Sequence, residues 1–122
     1  MAAAGDAKTH IDLVAIDVSG AIVGWGFVRK LDTPEPTFGL LVADQAQGCG
    51  LGRRMATAVL AEADARGTAE VHLTVVVDNA RAIGLYESLG FVGTGSYRAD
   101  DGLDYRGMVR RRVDQGSGSR DE

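Results

Sequence analysis

Gln47-Gly48-Cys49-Gly50-Leu51-Gly52-Arg53-Arg54 is the stretch from which the rest of the 122-residue chain can be read. Before it, Leu40-Leu41-Val42 closes an apolar run that predicts a central, buried strand over residues 38–42. After it, Met55, Ala56, Val59, Leu60 and Ala63 recur at helical spacing, and Arg66-Gly67 offers a basic last turn and a glycine stop. Glycines in a strand-to-helix turn let successive N–H groups face one point with no side chain in the way. The helix adds its unpaired first-turn N–H groups and the positive end of its dipole. The result is a cradle for a pyrophosphate, with Arg53 and Arg54 adding charge at its rim. The plainer alternative is a tight turn that holds no ligand. A dinucleotide site does not fit, because Gly48-x-Gly50-x-Gly52 lacks the last gap of that pattern and no strand ending in an acidic residue follows at the required distance. A phosphate-loop nucleotide site needs Lys and then Ser or Thr where Arg53 and Arg54 stand.

Working outward, residues 11–17 alternate as a strand, Ser19-Gly20 marks a turn, and residues 22–31 complete an antiparallel hairpin. Thr33-Pro34-Glu35-Pro36 breaks the pattern, since proline cannot donate to a ladder. Downstream, residues 71–77 form a valine-rich strand, and Asp78-Asn79 offer helix-capping side chains. Ala82, Ile83, Tyr86 and Leu89 then mark one face of a second helix, which Gly90 ends. Strands over 91–97 and 105–113 flank a turn at Asp101-Gly102. The order β-β-β-α-β-α-β-β predicts an α/β (α+β) fold in which helices cover a parallel or mixed sheet. Residues 1–122 are expected to make one domain, with 1–9 frayed and 114–122 a polar, flexible tail.

Composition narrows the function. The formal net charge of −4 opposes phosphate-driven nucleic-acid binding, and Arg110-Arg111-Arg112 reads as a solvated basic strand end. One cysteine and two histidines give no basis for a disulfide or a structural metal site. No run approaches the ~18 apolar residues of a membrane span. Residues 1–6 have neither the basic start nor the apolar core of a secretory signal, so the expected setting is cytoplasmic.

A second motif joins the first: Leu73-x-Val75-x-x-x-Asn79-x-x-Ala82-x-x-x-Tyr86-Glu87-x-x-Gly90-Phe91. With Gln47-x-x-Gly50-x-Gly52, it makes residues 38–91 resemble the GNAT superfamily of acyl-CoA-dependent N-acetyltransferases. The first motif is similar to that family's pyrophosphate motif, the second to its other cofactor segment, and Leu40-Leu41-Val42 to its splayed central strand. The resemblance implies a central mixed, mostly antiparallel sheet flanked by helices, acetyl-CoA as cosubstrate and an amine as acceptor; the composition gives no reason to expect a metal. It also implies roles for matched positions. The backbone N–H groups of Gln47, Gly48, Cys49, Gly50, Leu51, Gly52 and Arg53 would hold the pyrophosphate. Backbone groups of Leu41 and Val42 would pair with the pantetheine arm as an added strand, and one N–H there would polarise the acetyl carbonyl. Asn79 would approach the cofactor or the acceptor, and Tyr86 would protonate the departing thiolate. Each role has a structural counterpart: Asn79 as a simple N-cap, Tyr86 as core packing, Cys49 as a bystander whose thiol takes no part.

Two departures from the family pattern bear on function. Residues 37–41 lack the carboxylate that serves many members as general base, which leaves Asp32, Glu35, Asp44, His72 or a water chain. The hairpin begins near Ile11, so the usual leading strand and helices are expected to be missing. That predicts an open acceptor site, completion by a second copy in a homodimer or by a partner chain, or a degenerate acyl-CoA binder; a non-catalytic sensor and an interaction domain are the competing readings.

Overall fold

A computed structural model describes residues 9–112. Strands β1 (Ile11–Ile16), β2 (Ile22–Arg29) and β3 (Thr37–Val42) form an antiparallel meander. A short 3-10 turn, Asp44–Ala46, leads through the glycine loop into helix α1 (Leu51–Ala65). Then come β4 (Glu70–Val76), helix α2 (Ala80–Ser88), β5 (Val92–Arg98) and β6 (Asp104–Arg111). All six strands belong to one sheet in the order β1-β2-β3-β4-β6-β5. Only β3 and β4 run parallel; every other neighbour pair is antiparallel. Of the two sheets the element order allowed, parallel or mixed, the mixed one is observed, and it is mostly antiparallel as the family resemblance implies.

Local chemistry explains the joints. Asp17 accepts from the Ser19 and Ala21 backbone N–H groups and the Ser19 hydroxyl, which closes the first hairpin. Gly67 and Gly90 take positive φ, 79° and 100°, and end α1 and α2 where a side chain would be strained. Asp101 closes the last hairpin by accepting from the Leu103 N–H. The predicted strand 105–113 gives way after Arg111, and its last residue, with tail 114–122, lies outside the described residues, as do residues 1–8 of the expected frayed start. Thr9, expected to fray, is held: its carbonyl accepts the Leu31 N–H at 2.9 Å.

One core fills the helix-covered side of the sheet. Val28, Phe38, Val71, Leu73, Val75 and Met108 face Ala56, Val59, Leu60 and Ala63 of α1 and Ile83 and Tyr86 of α2. Among the described residues nothing covers the opposite side of β1–β3, which corrects the reading of β3 as buried. Phe38 is its one fully buried residue, and Leu41 is 59% exposed beside exposed Trp25 and Val14.

The reading of the arginine run is corrected at Arg110, while Arg111 and Arg112 are exposed as expected. Arg110 donates with both Nη atoms to the Asp64 carboxylate of α1, at 3.0 and 3.1 Å, and with Nε to the Leu89 carbonyl at the end of α2, at 3.1 Å. Its side chain is only 19% exposed. Arg111 pairs with Glu70 on β4. One guanidinium therefore ties both helices to the sheet, a geometry that only a planar fork provides. We expect Arg110→Lys, which keeps the charge but loses the fork, to cost about 1.5–3 kcal/mol in urea denaturation; an unchanged midpoint would mean that the three bonds contribute nothing net.

Candidate active site

The site begins where the sheet parts. β3 and β4 share a single register pair, Thr37 with His72, reinforced by the His72 N–H donating to the Pro36 carbonyl at 2.8 Å. Beyond it the strands separate and leave a cleft of about 440 Å³. β3 lines it with Leu40 and Val42, the loop with Gln47, Gly48, Gly50, Gly52 and Arg53, and the α2 segment with Asn79, Arg81, Ala82, Leu85 and Tyr86.

Hydrogen-bond alternation decides which backbone groups of β3 face the gap. The Ala43 N–H donates to the Val23 carbonyl, so in this antiparallel pair Leu41 and Gly39 also turn their groups toward β2. Pro36, Leu40 and Val42 turn theirs the other way, as the bond from His72 to Pro36 confirms. Val42 thus stands where the strand-pairing expectation needs it, whereas the groups of Leu41 are engaged with Trp25 and its side chain stands on the uncovered face. The backbone groups that face the gap beside those of Val42 are those of Leu40.

The loop offers a run of free donors. Gly48 and Gly50 adopt φ of 85° and 83°, left-handed geometry that carries the chain from the 3-10 turn into α1. Among the described residues, the N–H groups of Gly48, Cys49, Gly50, Leu51, Gly52 and Arg53 find no acceptor, and Arg54 is the first to close a helical bond, to Gly50 at 3.1 Å. Six consecutive donors at a helix start make an anion cradle. Gln47 is the exception to the expected set. Its N–H is spent on the Asp44 carbonyl at 3.2 Å, and its side-chain amide donates to the Val42 carbonyl at 3.1 Å, so it braces the loop against β3. The Cys49 thiol turns back to the Ala46 carbonyl at 3.0 Å. A Cβ at Gly52 would meet Leu40, Val42 and Leu85 at ordinary contact distance, 3.6–3.9 Å. Arg53 lines the cleft; Arg54 is exposed and does not.

Asn79 caps α2, its Oδ1 accepting from the Ala82 N–H at 3.1 Å, while the residue still lines the cleft. Tyr86 is 9% exposed, with its ring edge-on to Phe38 and Phe91 at 5.9 and 5.8 Å. The residue also lines the cleft, and its hydroxyl has no hydrogen-bond partner among the described residues. Burial pushes its pKa above the ordinary 10.0, so the proton stays on oxygen.

None of the candidate bases lines the cleft. Asp32, Glu35 and Asp44 are exposed, and His72 sits at the closed end of the gap, bonded to Glu70 at 3.2 Å. Arg81 and Leu85, which do line it, were missed. They fall at unassigned positions between the matched residues of the second motif.

The Acetyltransferase (GNAT) family model matches residues 4–91. Over 86 residues the chain is 35% identical to the mycothiol acetyltransferase of Paenarthrobacter aurescens (strain TC1), covering 66% of this chain and 27% of that protein. Over 73 residues it is 44% identical to the [ribosomal protein bS18]-alanine N-acetyltransferase of Escherichia coli (strain K12), covering 60% of this chain and 49% of that protein. It thus spans half or less of the length of these curated relatives. Among solved structures, spermidine/spermine N-acetyltransferase from Vibrio cholerae superposes with a TM-score of 0.73 at 21% identity, covering 86% of this chain and 66% of the other; the likeness is one of fold.

The raised Tyr86 pKa has a signed consequence. Below about pH 10 the phenol is neutral in both folded and unfolded chains. Above it the unfolded chain ionises first, so stability falls with rising pH until the folded phenol also titrates. Urea denaturation between about pH 9 and 11 should show a steeper loss for the native protein than for Tyr86→Phe; parallel curves would show that burial does not hold this proton.

Proposed function

Because the chain belongs to the Acetyltransferase (GNAT) family, we propose that it binds acetyl-CoA in the gap between β3 and β4 and transfers the acetyl group to a primary amine. The observation that carries this is Tyr86: a buried tyrosine whose hydroxyl has no partner among the described residues, lining the same cleft as the six free loop N–H groups. A buried hydroxyl left unpaired costs free energy, and a ligand atom in the cleft relieves that cost.

Acetyl-CoA supplies an activated thioester carbonyl. The loop N–H groups from Gly48 to Arg53 hold its pyrophosphate, with Gln47 fixing the loop from behind. Val42 and Leu40 offer strand-like groups to the pantetheine amides and an N–H to the carbonyl. Asn79, whose oxygen is spent on the cap, keeps its amide nitrogen for the cofactor. The amine nitrogen bonds to the acetyl carbon, the carbon–sulfur bond breaks, and the sulfur takes the Tyr86 proton. The amine loses its own proton to water, since no carboxylate or imidazole among the described residues lines the cleft. Positioning and the carbonyl contact supply most of the acceleration.

The two relatives' names point to unlike acceptors, mycothiol and a ribosomal-protein alanine, so the acceptor is proposed only as an amine. A reducing, cytoplasmic setting suits the free Cys49 and this cosubstrate. The exposed apolar row Val14, Ile16, Ile22, Trp25 and Leu41 supports a homodimer, which a monomer in concentrated sedimentation runs would rule out. The second reading, a sensor that binds acyl-CoA without turnover, draws on the base-free cleft.

Thermal unfolding and thiol release separate these readings. Acetyl-CoA at a hundred times its dissociation constant should stabilise the protein by about 2.7 kcal/mol. Tyr86→Phe should keep that shift and lower kcat about a hundredfold or more. Binding without thiol release across an amine panel would favour the sensor, and no shift at millimolar acetyl-CoA would sink both.

A further inference from the structure

We propose that Arg81 is the side chain that grips the pyrophosphate of the CoA moiety from the wall opposite the glycine loop. This rests on the acetyl-CoA reading above and adds to it a residue that neither motif assigns.

Arg81 lies in the first turn of α2 and lines the cleft together with Gly48, Gly50 and Arg53. Its guanidinium reaches across to the loop: a Cβ built on Gly48 would stand 3.8 Å from Nη2. The space a side chain at Gly48 would take is therefore the space between the cradle and this cation. Arg29, Arg66, Arg98, Arg110 and Arg111 each have a carboxylate partner. Arg53, Arg54, Arg81, Arg106 and Arg112 have none among the described residues, and of these Arg53 and Arg81 line the cleft.

The helix ends make the placement informative. Neither α1 nor α2 carries an acidic residue in its first turn, and each carries arginine there instead. A cation beside the positive end of a helix dipole is unfavourable unless an anion joins it. Two helix starts meet at this cleft, both with the wrong sign of side chain for an empty site. A diphosphate between them reverses the sign of both terms. Arg81 supplies a planar fork suited to two phosphate oxygens, and the loop supplies backbone donors to the others. The unpartnered Tyr86 phenol in the same cleft is an independent sign that a ligand completes it.

The test measures binding of CoA and of dephospho-CoA, which keeps the pyrophosphate but lacks the 3′-phosphate, to the native protein, Arg81→Ala, Arg81→Gln and Arg81→Lys. Unliganded melting is recorded alongside. We expect Arg81→Ala and Arg81→Gln to weaken both ligands by the same factor, about tenfold or more, with Arg81→Lys between. Removing a cation from a helix start should leave unliganded melting unchanged or slightly raised. The salt dependence of CoA binding should become shallower in Arg81→Gln. Loss of CoA affinity with dephospho-CoA unaffected would overturn the assignment in favour of the 3′-phosphate. Unchanged affinity for both, or a loss that tracks a lowered unliganded melting point in every variant, would overturn it outright. Failure of the native protein to bind either ligand would instead refute the acetyl-CoA reading itself.

Discussion

The structure depends on one broken pairing. β3 and β4 hold together at Thr37 and His72 and then part, although both belong to the same sheet. Each is committed elsewhere along its whole length, β3 to β2 and β4 to β6, in antiparallel ladders that twist with a fixed hand. The parallel pair between them is the weaker kind and the only one of its type here, so it is the joint that yields. Its opening leaves the inward-facing groups of Leu40 and Val42 without a strand. An interior edge of this kind costs free energy unless something strand-like fills it, and a chain of amides does so.

What keeps the gap from spreading is equally local. Phe38 on β3 contacts both Tyr86 on α2 and Phe91 before β5, all at under 6 Å between ring centroids, so the aromatic cluster bridges the two halves just beneath the opening. Arg110 adds a polar tie from β6 to α1, a helix that packs mainly on the other half. Tyr86 therefore holds its ring in the core while the residue lines the cleft, and in the proposed reaction its hydroxyl is the proton donor. The rigidity needed to place that proton comes from the same contacts that close the fold.

Much of this was legible in the chain. The loop glycines, the cap at Asn79 and the face bearing Ile83 and Tyr86 follow from spacing, because turn geometry and helical period are local properties. What failed was non-local. Whether Leu40 or Leu41 turns its backbone into the gap depends on register with β2, and a one-residue difference reverses the answer. The apolar character of β3 suggested burial on both sides, but nothing in residues 38–42 says which layers cover the sheet. Arg110 looked solvated because its partners, Asp64 and Leu89, are distant in sequence. Arg81 alone left a local signal, an arginine where a helix start ordinarily favours an acid, and that signal gains force only once α1 is seen to share it.

The two faces of the opened sheet are unequal, and the inequality bears on how two substrates could meet. On the helix-covered side, the loop, Arg81 and Tyr86 occupy the approach to the gap. A cosubstrate held there leaves the amine the opposite side, where Trp25, Leu41 and Val14 are exposed and Phe27 lies against Gly39. Charges near that apolar surface are already matched: Asp12 takes the Trp25 Nε1–H at 2.8 Å and pairs with Arg29 at 2.9 Å, while Arg29 stacks on Phe27. A lining of this kind offers an amine little to hold it in its charged form and favours the neutral form. In the proposed reaction the neutral amine is the nucleophile, so a cleft without a dedicated base is consistent with an acceptor that sheds its proton to water before it reaches the gap.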